Sequence, residues 1–459
     1  FSVCPFELGL DSSLWSDVII GDYNYLFDPV VHLVRFFESA GDYIFLVDEA
    51  HNLPGRAREM HSAALTKTSF YEAKKLLGKG KSSLKNALTK VNDVFIEWRH
   101  RAEEETAARD GRFGKTFFLK ERSEEFDPLL NRLCEPLEAW LDDHREPDET
   151  HTALLQLYFD VRAWLRVADT FDDHFVLQIT ASGSEVRAAQ LCLDPSAFLA
   201  DSFALGRAAV LFSATLAPAS YYKDLCGVPE ARAVALRSPF PAGNQGLFCI
   251  GNVSTRYKDR DASLAIVEES LATMVRARCG NYLAFFPSYA YLQQVYEAFA
   301  ARWPDIPTLV QQRSLDDAGR AEFLAQFVPH PAKTLLGFAV MGGIFGEGVD
   351  LVGDRLIGCA IVGVGLPQVN PRQEMLRRYY EEQSGCGFDY AYRYPGMNKV
   401  LQAAGRVVRT PQDKGVVLLL DDRFAQPDTA RLFPPHWQHI RYLPGTAALE
   451  AALKGFWDV

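Results

Sequence analysis

The sequence predicts an α/β protein with two doubly wound, parallel-sheet domains and a helical insertion in the first of them. Short apolar runs alternate with helix-like segments through residues 236–459, which is the rhythm of a doubly wound domain. A similar apolar run near the N-terminus, Tyr43–Val47, ends abruptly in two carboxylates. Between these regions, long charged segments carry apolar residues at three- and four-residue spacings, which is the helical period.

The Tyr43–Val47 run is rich in aromatic and branched residues, as in a buried strand of a parallel sheet. It is followed by Asp48, Glu49, Ala50 and His51 at the carboxyl end, where ligands bind in open α/β sheets. There Asp48 can hold Mg²⁺ on nucleotide phosphates, and Glu49 can orient or deprotonate an attacking water. A strand followed by an acidic helix cap gives similar strings, so the four residues alone leave a structural role open.

The segment before this run predicts a short helix at Glu7–Trp15 and a short buried strand at Asp17–Gly21. Tyr23 and Tyr25 follow in a turn-rich segment. Their rings could stack on a base or sugar, although tyrosines that pack a strand–helix junction are commoner. Both interpretations stay open, and packing is favoured until further context is added.

Composition places the chain among globular proteins. It has 459 residues, of which 48% are hydrophobic and 12% aromatic, enough for two or three domains. No uninterrupted apolar run of about 18 residues predicts a membrane span, and the first residues do not resemble a signal or transit peptide. A soluble, cytoplasmic protein without membrane contact is expected.

Cysteine spacing and charge narrow the function classes. The eight cysteines are scattered, without the paired short spacing of a zinc site, and are predicted to be mostly buried thiols in a reducing compartment. The net charge of −11 excludes a broadly basic surface. Contact with nucleic acid would therefore use a local channel.

Residues 65–190 predict the insertion. Apolar stripes at helical spacing are Leu84, Leu88, Val91, Phe95 and Trp98; Leu130, Leu133, Leu137 and Trp140; and Leu154, Tyr158, Val161 and Leu165. We expect these stripes to form a core, with Arg109–Lys115 as a basic hinge or contact. A hairpin is predicted at Phe175–Thr180 and Val186–Leu193, because Ser182, Gly183 and Ser184 separate the two runs.

The chain then returns to the first domain. Asp194 and Pro195 predict the start of a helix that continues through Phe203. A strand at Ala208–Phe212 leads into Ser213, Ala214 and Thr215.

The second domain is read from its alternation of strands and helices, after a flexible linker around Ser238–Ser254. Predicted strands are Tyr282–Phe286, Thr308–Gln311, Thr334–Val340, Arg355–Val362 and Gly415–Leu420. Predicted helices are Tyr289–Ala301, Leu315–Phe327, Pro371–Gln383 with Asn370 as its cap, and Met397–Val408.

Two motifs in this domain carry chemistry. The glycines of Gly342–Asp350 let the backbone approach a phosphate or sugar, while Glu347 and Asp350 project at fixed places. In Gln402–Arg409 the spacing predicts Gln402, Arg406 and Arg409 on one side of a helix. Two guanidinium groups placed in this way suit one triphosphate, because their planar forks pair bidentately with phosphate oxygens.

Taken in order, these motifs resemble the iron–sulfur DNA helicases of superfamily 2, the group that includes XPD and DinG. The resemblance covers essentially the whole chain. It rests on Cys4–Phe6, Tyr23–Pro29, the Asp48–His51 (DEAH) box, Ser213–Thr215, Ser238–Phe240, Phe285–Tyr289, Gly343–Asp350 and Gln402–Arg409.

The resemblance implies two RecA-like motor domains, an all-helical arch-like insertion and ATP-driven movement 5′ to 3′ on single-stranded or forked DNA, with DNA repair as the family expectation. The implied domains are 1–64 and 191–235 for the first motor domain with the remainder of a cluster domain, 65–190 for the arch, and 236–459 for the second motor domain.

The resemblance also implies a role for each matched residue. Asp48 would hold Mg²⁺, Glu49 the water, and His51 would link the nucleotide to the coupling loop of Ser213, Ala214 and Thr215. Arg406 and Arg409 would be arginine fingers, and the remaining ATP contacts would be Gly343, Glu347, Gly348, Asp350, Gln402 and Gly405. Tyr23, Tyr25, Ser288 and Tyr289 would face DNA.

Two departures from the family pattern lead to a further expectation. No Gly-x-x-x-x-Gly-Lys-Ser/Thr phosphate loop occurs in the sequence, and Cys4 matches only the last of four 4Fe–4S ligands. The expectation is that an upstream half of the same polypeptide carries the loop and three more cysteines, so that the first motor domain is incomplete and this chain alone is inactive. The alternatives are a non-catalytic module that binds nucleic acid or a partner protein, and an RNA-directed motor.

Overall fold

The computed structural model describes residues 3–79, 82–107, 114–343, 345 and 351–458. The chain divides into two compact units. Unit 1 comprises Phe1–Ser213 and Tyr222–Ala231, and unit 2 comprises Ala214–Tyr221 and Arg232–Val459.

The first part of the chain alternates short strands with helices of very different lengths. In chain order the elements are α1 (Pro5–Ser13), α2 (Asn24–Phe27), α3 (Val34–Phe37), β1 (Ile44–Val47), α4 (Leu53–Met60), β2 (Ala63–Thr66), α5 (Lys67–Leu76), α6 (Ser83–Ala107), β3 (Lys115–Leu119), α7 (Phe126–Asp143), α8 (Glu149–Asp169), β4 (Phe175–Ser182), β5 (Glu185–Cys192), α9 (Ser196–Ala204), β6 (Ala208–Leu211) and α10 (Ala219–Leu225).

The predicted strand before the acidic pair is confirmed as β1, which pairs in parallel with β6. Phe45 and Val47 are buried, while Ile44 and Leu46 on the opposite face are 64% and 68% exposed. The ladder continues past both strands, because the Phe212 amide donates to the Val47 carbonyl at 3.0 Å. Asp48 and Ser213 therefore emerge side by side at the carboxyl end of the pair.

The predicted strand at Asp17–Gly21 is wrong. This segment joins no sheet, and Val18 and Ile20 are 75% and 95% exposed. An apolar run forms a strand only where a neighbouring strand offers hydrogen bonds, and in the part of unit 1 that the structure describes none pairs with it.

The region of the predicted insertion contains an antiparallel sheet as well as helices, so the expectation that it is all-helical is wrong. The sheet has the order β2-β5-β4-β3, and the β4–β5 pair is the predicted hairpin. β3 was missed because it lies next to the predicted basic hinge, most of which falls outside the described residues. Its five residues are too few for a periodicity to stand out.

The apolar stripes of this region form a core, as predicted. Leu88, Phe95, Leu130 and Leu154 are fully buried in one cluster with the inner face of the sheet. One carboxylate is enclosed with them. Burial raises the pKa of Asp127, although the indole N–H of Trp164 donates to its Oδ1 at 2.8 Å and partly offsets this.

Unit 2 is a parallel α/β sandwich. Its elements are β7 (Gln245–Ile250), α11 (Arg260–Arg276), β8 (Asn281–Phe286), α12 (Tyr289–Arg302), β9 (Thr308–Val310), α13 (Asp317–Ala325), β10 (Leu335–Val340), β11 (Gly358–Val362), α14 (Pro371–Ser384), α15 (Tyr394–Ala404), β12 (Gly415–Leu420), α16 (Pro427–Ala430), β13 (Arg441–Leu443) and α17 (Thr446–Trp457).

The sheet of unit 2 is parallel throughout, with the order β13-β7-β12-β11-β8-β10-β9. Alternate residues of its strands enter two cores. One core includes residues of α11, α12 and α17, and the other includes residues of α13 and α15. The five predicted strands are all present as β8 to β12, and the side chain of Asn370 caps α14 as expected.

Two strands of this sheet were not predicted. β7 lies inside the segment interpreted as a flexible linker, and the Leu247–Ile250 part of it is completely buried. β13 has only three residues and lies at the sheet edge. The apolar run of β7 was the available signal, but the prolines and glycines around it dominated the interpretation.

Most cysteines are buried thiols, as predicted. Burial raises the pKa of Cys192, Cys226 and Cys249 to about 12, so these thiols stay protonated. None of the helices among the described residues is long and apolar enough to cross a bilayer.

The core of unit 2 allows a test of the packing. Phe338 of β10 is fully buried and lies 5.8 Å from Phe286 and 5.7 Å from Phe299, between ring centroids. Phe338→Ala is expected to lower the free energy of unfolding by about 3–5 kcal/mol, measured by chemical denaturation. Phe159→Ala, on the exposed side of α8, is the control and should change it by less than about 0.5 kcal/mol. Equal effects would contradict the assigned packing.

Candidate functional site

The acidic pair sits in a strained turn directly after β1. Glu49 adopts a left-handed conformation, with φ 45° and ψ 40°, which is uncommon for a residue with a side chain. Two backbone amides of the turn are bonded within unit 1: the Glu49 amide donates to Asp48 Oδ1 at 2.7 Å, and the Ala50 amide donates to the Phe212 carbonyl at 3.1 Å. Backbone strain of this kind persists where the surroundings enforce it, and it is common at functional sites.

Glu49, His51 and Ser213 form one hydrogen-bonded group. The Ser213 hydroxyl donates to Glu49 Oε2 at 3.1 Å and lies 2.8 Å from His51 Nδ1. Because the single hydroxyl proton of Ser213 points to the carboxylate, the hydroxyl oxygen accepts a hydrogen bond from His51, and the tautomer with a proton on Nδ1 fits this geometry. His51 Nδ1 is also 3.2 Å from Glu49 Oε2.

The side chains of this group differ in their exposure to solvent. The His51 side chain is 2% exposed, whereas that of Glu49 is 63% exposed. The buried imidazole therefore fixes one carboxylate oxygen and leaves the other open to solvent. Of the two residues after Ser213, Ala214 is exposed and Thr215 is buried.

Tyr23 contacts the same turn, a relation that sequence reasoning missed. Its hydroxyl donates to the Asp48 carbonyl. Burial, followed by the charges of Asp48 and Glu49, raises the pKa of Tyr23 to about 12, so it remains a donor. Tyr25 packs instead against Gly21, where an added Cβ would approach its ring to 2.8 Å. Both tyrosines thus have intramolecular packing roles, and their predicted contact with DNA stays a prediction.

The donor set suits a magnesium ion better than a cluster. Mg²⁺ is commonly bound by one or two carboxylates together with substrate phosphates and waters, and the exposed Asp48 offers such a carboxylate. Cys4, just before α1, is an exposed free thiol. In the described part of the chain, no three His, Cys, Asp or Glu side chains are grouped to hold a metal. Four thiolates for a 4Fe–4S cluster are therefore not found together there.

The glycine-rich motif of unit 2 follows β10. Gly342 has φ +68°, and a Cβ there would meet the Lys399 side chain at 2.9 Å, so this position favours glycine. An added Cβ at Gly343 would make ordinary van der Waals contact, with its nearest neighbour 3.5 Å away. Glu347, Gly348 and Asp350 lie outside the described residues.

The predicted helix that carries Gln402, Arg406 and Arg409 on one side is wrong. α15 ends at Ala404, and Gly405 follows as its cap. The chain leaves the helix because Val407 and Val408 are buried in the core of the sheet. Asp413 accepts the backbone N–H groups of Arg409 and Thr410, at 2.8 Å each.

Arg406 and Arg409 differ in their burial and in what surrounds them. Arg406 is 8% exposed, and its charge acts on the pKa of Cys359, which burial nevertheless raises. Arg409 is half-buried and is oriented by the turn that Asp413 closes. Gln402 is the one member of the trio that lies on the helix, half-exposed near its end.

Ser288 and Tyr289 lie where predicted, at the start of α12. The Ser288 hydroxyl accepts the Tyr291 amide, and the Tyr289 hydroxyl accepts from the Gln311 side chain at 2.7 Å. Gln311 is 3% exposed and also accepts the Val340 amide at 2.8 Å, so it joins the ends of β8, β9 and β10. Sequence reasoning missed this role, although a glutamine directly after an apolar strand was a usable signal.

Comparison with known proteins identifies the family. The DEAD_2 family matches residues 1–70, and the helicase C-terminal domain family matches residues 271–440, which together make up more than half of the chain. The chain is 23% identical to the ATP-dependent DNA helicase CHL1 of Coccidioides immitis, over 95% of its own length. The predicted resemblance to the XPD-like helicases of superfamily 2 is confirmed.

Other XPD-like proteins agree with this assignment. The chain is 24% identical to the general transcription and DNA repair factor IIH helicase subunit XPD of Schizosaccharomyces pombe, over 94% of its length. It spans 58% of the Coccidioides relative and 65% of the Schizosaccharomyces relative.

Solved structures of XPD-like proteins share the fold. A structure titled XPD_Helicase matches with a TM-score of 0.62 at 20% identity, over 96% of this chain and 76% of that one. Xpd4 of S. tokodaii matches with a TM-score of 0.61 at 15% identity, over 92% and 81%. The prediction of two RecA-like domains is thereby confirmed.

The bonded group at the end of β1 generates a prediction. Replacing His51 and Ser213 by alanine, singly and together, should give non-additive losses in the free energy of unfolding, with a coupling of about 0.5–3 kcal/mol. The measurement is chemical denaturation of the four proteins. Ser202, whose hydroxyl donates to the Phe198 carbonyl within α9, is the control partner for His51. Additive losses for His51 and Ser213 would contradict the bonded group.

Proposed function

We propose that this chain is the motor portion of an ATP-dependent helicase that moves 5′ to 3′ along single-stranded DNA. The observation that carries the proposal is the group at the end of β1 and β6: an exposed Glu49 carboxylate held by Ser213 and the buried His51. The names of the relatives from Coccidioides and Schizosaccharomyces support it.

The proposed chemistry assigns each member of the group a step. Asp48 would hold Mg²⁺, which would supply neutralisation of charge on the nucleotide phosphates. Glu49 orients the attacking water and accepts its proton, because one of its oxygens is held and the other is exposed. His51 and Ser213 transmit the state of that carboxylate to the loop Ser213–Thr215, since any movement of Glu49 changes their hydrogen bonds.

The roles proposed for unit 2 follow from its motifs. Arg406 and Arg409 stabilise charge on the transferring phosphoryl group, and Gln402, Gly405 and the Gly343–Asp350 motif contact the nucleotide. Asp413 accepts the backbone N–H of Arg409, which supports an ordered backbone at that arginine. Ser288 and Tyr289, at the start of α12, face the DNA backbone.

The domain assignment is part of the proposal. Residues 1–64 and 191–235 would form the first motor domain, 65–190 an arch over forked DNA, and 236–459 the second motor domain. The four-stranded sheet from Ala63 to Cys192 and the unit boundary at Arg232 support these limits, whereas Ala214–Tyr221 groups with unit 2 and not with the rest of 191–235.

The catalytic role is tested in the natural full-length protein. Glu49→Gln keeps the size of the side chain but removes the base, so DNA-stimulated ATP hydrolysis should fall about 10²- to 10⁴-fold while nucleotide binding persists. Glu59→Gln, on the nearby helix α4, makes the same replacement at an exposed ion pair with Arg56 and should leave turnover unchanged. Unchanged turnover in Glu49→Gln would remove Glu49 from its role.

Direction is tested with duplexes that carry one single-stranded tail. The full-length protein should displace the strand of a 5′-tailed duplex and leave a 3′-tailed duplex intact, measured with ATP and Mg²⁺. The reverse preference would overturn the assigned polarity. DNA binding without any ATP hydrolysis would indicate a binding module instead of a motor.

A further inference from the structure

The loop after β7 carries an unusually exposed aromatic residue. Tyr257 is 88% exposed, although most large rings of unit 2 are buried. It lies at the carboxyl end of the parallel sheet, seven residues after the end of β7 and three before the start of α11. Open α/β sheets bind their ligands at this edge.

Side-chain hydrogen bonds to two aspartates after β12 hold the loop that carries Tyr257. The hydroxyl of Thr255 donates to Asp421, which is fully buried, and the Arg423 guanidinium donates to the same carboxylate at 2.6 Å and 2.7 Å. Arg256 binds both oxygens of Asp422 at 2.7 Å and 2.8 Å. Charge-assisted bonds are among the strongest that side chains make, above all the bidentate pair of Arg423 with Asp421. The exposed ring of Tyr257 therefore projects from an ordered loop.

A cation supports the ring from one side. The Arg260 guanidinium carbon lies 5.5 Å from the centroid of the Tyr257 ring and 4.2 Å from that of Tyr291. Tyr291 is fully buried in the first turn of α12, where its amide donates to the Ser288 hydroxyl. Tyr257 is thus connected through Arg260 to the turn that carries Ser288 and Tyr289.

Two cations, Lys258 and Arg260, lie close to Tyr257 in the chain, among carboxylates that already have hydrogen-bond partners. Asp421 and Asp422 are engaged by arginines, Asp259 accepts from the Ser254 hydroxyl at 2.7 Å, and Asp261 accepts from the Gln294 side chain at 2.7 Å. Within the residues that the structure describes, neither Lys258 nor Arg260 forms a salt bridge. Lys258 and the remaining N–H groups of Arg260, whose Nε donates to the Thr255 carbonyl at 3.3 Å, can therefore contact phosphate.

We propose that Tyr257 is a stacking platform for one base of single-stranded DNA, with Lys258 and Arg260 at the adjacent phosphates. Single-strand binding proteins use this combination, because every base has a face that can stack and every nucleotide carries a charge. The proposal rests on the proposed function and adds to it a contact that none of the helicase motifs contains.

The test compares variants of the natural full-length protein in binding a fluorescent oligothymidylate without nucleotide. Tyr257→Ala should weaken binding roughly 5- to 150-fold, the loss expected for one stacked base. Tyr257→Phe and Tyr257→Trp, which keep the ring, should bind like the wild type. Tyr442→Ala, at an exposed tyrosine of β13 in the same unit, is the control and should also leave binding unchanged.

The salt dependence separates stacking from charge. Tyr257→Ala should keep the slope of log affinity against log salt, whereas Lys258→Ala should reduce it by about one. Quenching of 2-aminopurine in the oligonucleotide should also be lost in Tyr257→Ala. Circular dichroism checks that each variant is folded.

The outcomes distinguish the two proposals. If Tyr257→Ala binds oligothymidylate as tightly as the wild type does, the platform alone is overturned. If Tyr257→Phe loses as much affinity as Tyr257→Ala, the hydroxyl and not the ring makes the contact, and the platform is again overturned. Failure of the wild type to bind oligothymidylate overturns both the platform and the DNA motor.

Discussion

The candidate site of unit 1 depends on the parallel pairing of β1 with β6. In the observed register Val47 of β1 lies opposite Leu211 of β6. The acidic pair directly follows β1, and Ser213 follows β6 after Phe212. A shift by one residue would turn Phe45 and Val47 to the opposite face. The burial of those two side chains therefore also fixes the distance from the serine hydroxyl to Glu49 and His51. The packing of the core and the geometry of the site therefore both depend on this one strand register.

The same principle organises unit 2, where short loops next to the strand ends are held by polar side chains. Gln311 joins the ends of three strands, Asp413 closes the turn at Arg409, and Asp421 anchors the loop that presents Tyr257. Each such bond orders a short loop whose backbone the ladder no longer holds. The side chains available to ligands thus project from ordered positions, which reduces the entropy lost on binding.

Sequence patterns predicted the parts that local chemistry determines. The strand before Asp48, the β4–β5 hairpin and the cap of α14 follow from periodicity, turn residues and Asn370. Other features depend on distant partners. The apolar run at Asp17–Gly21 has the composition of a strand but joins none, and β7 is a strand inside an apparent linker. The helix at Gln402 ends early because the following valines enter the core, and the Tyr23–Asp48 bond joins residues that no local pattern relates.

The most direct measurement is a crystal structure of the natural full-length protein with Mg²⁺, ADP and aluminium fluoride, which imitate the transferring phosphoryl group. The account predicts the attacking water within about 2.6–3.2 Å of the Glu49 carboxylate, with Ser213 and His51 still bonded to it. It also predicts Asp48 at the metal, directly or through a bound water. A water held by another residue, with Glu49 turned away from the nucleotide, would contradict the account.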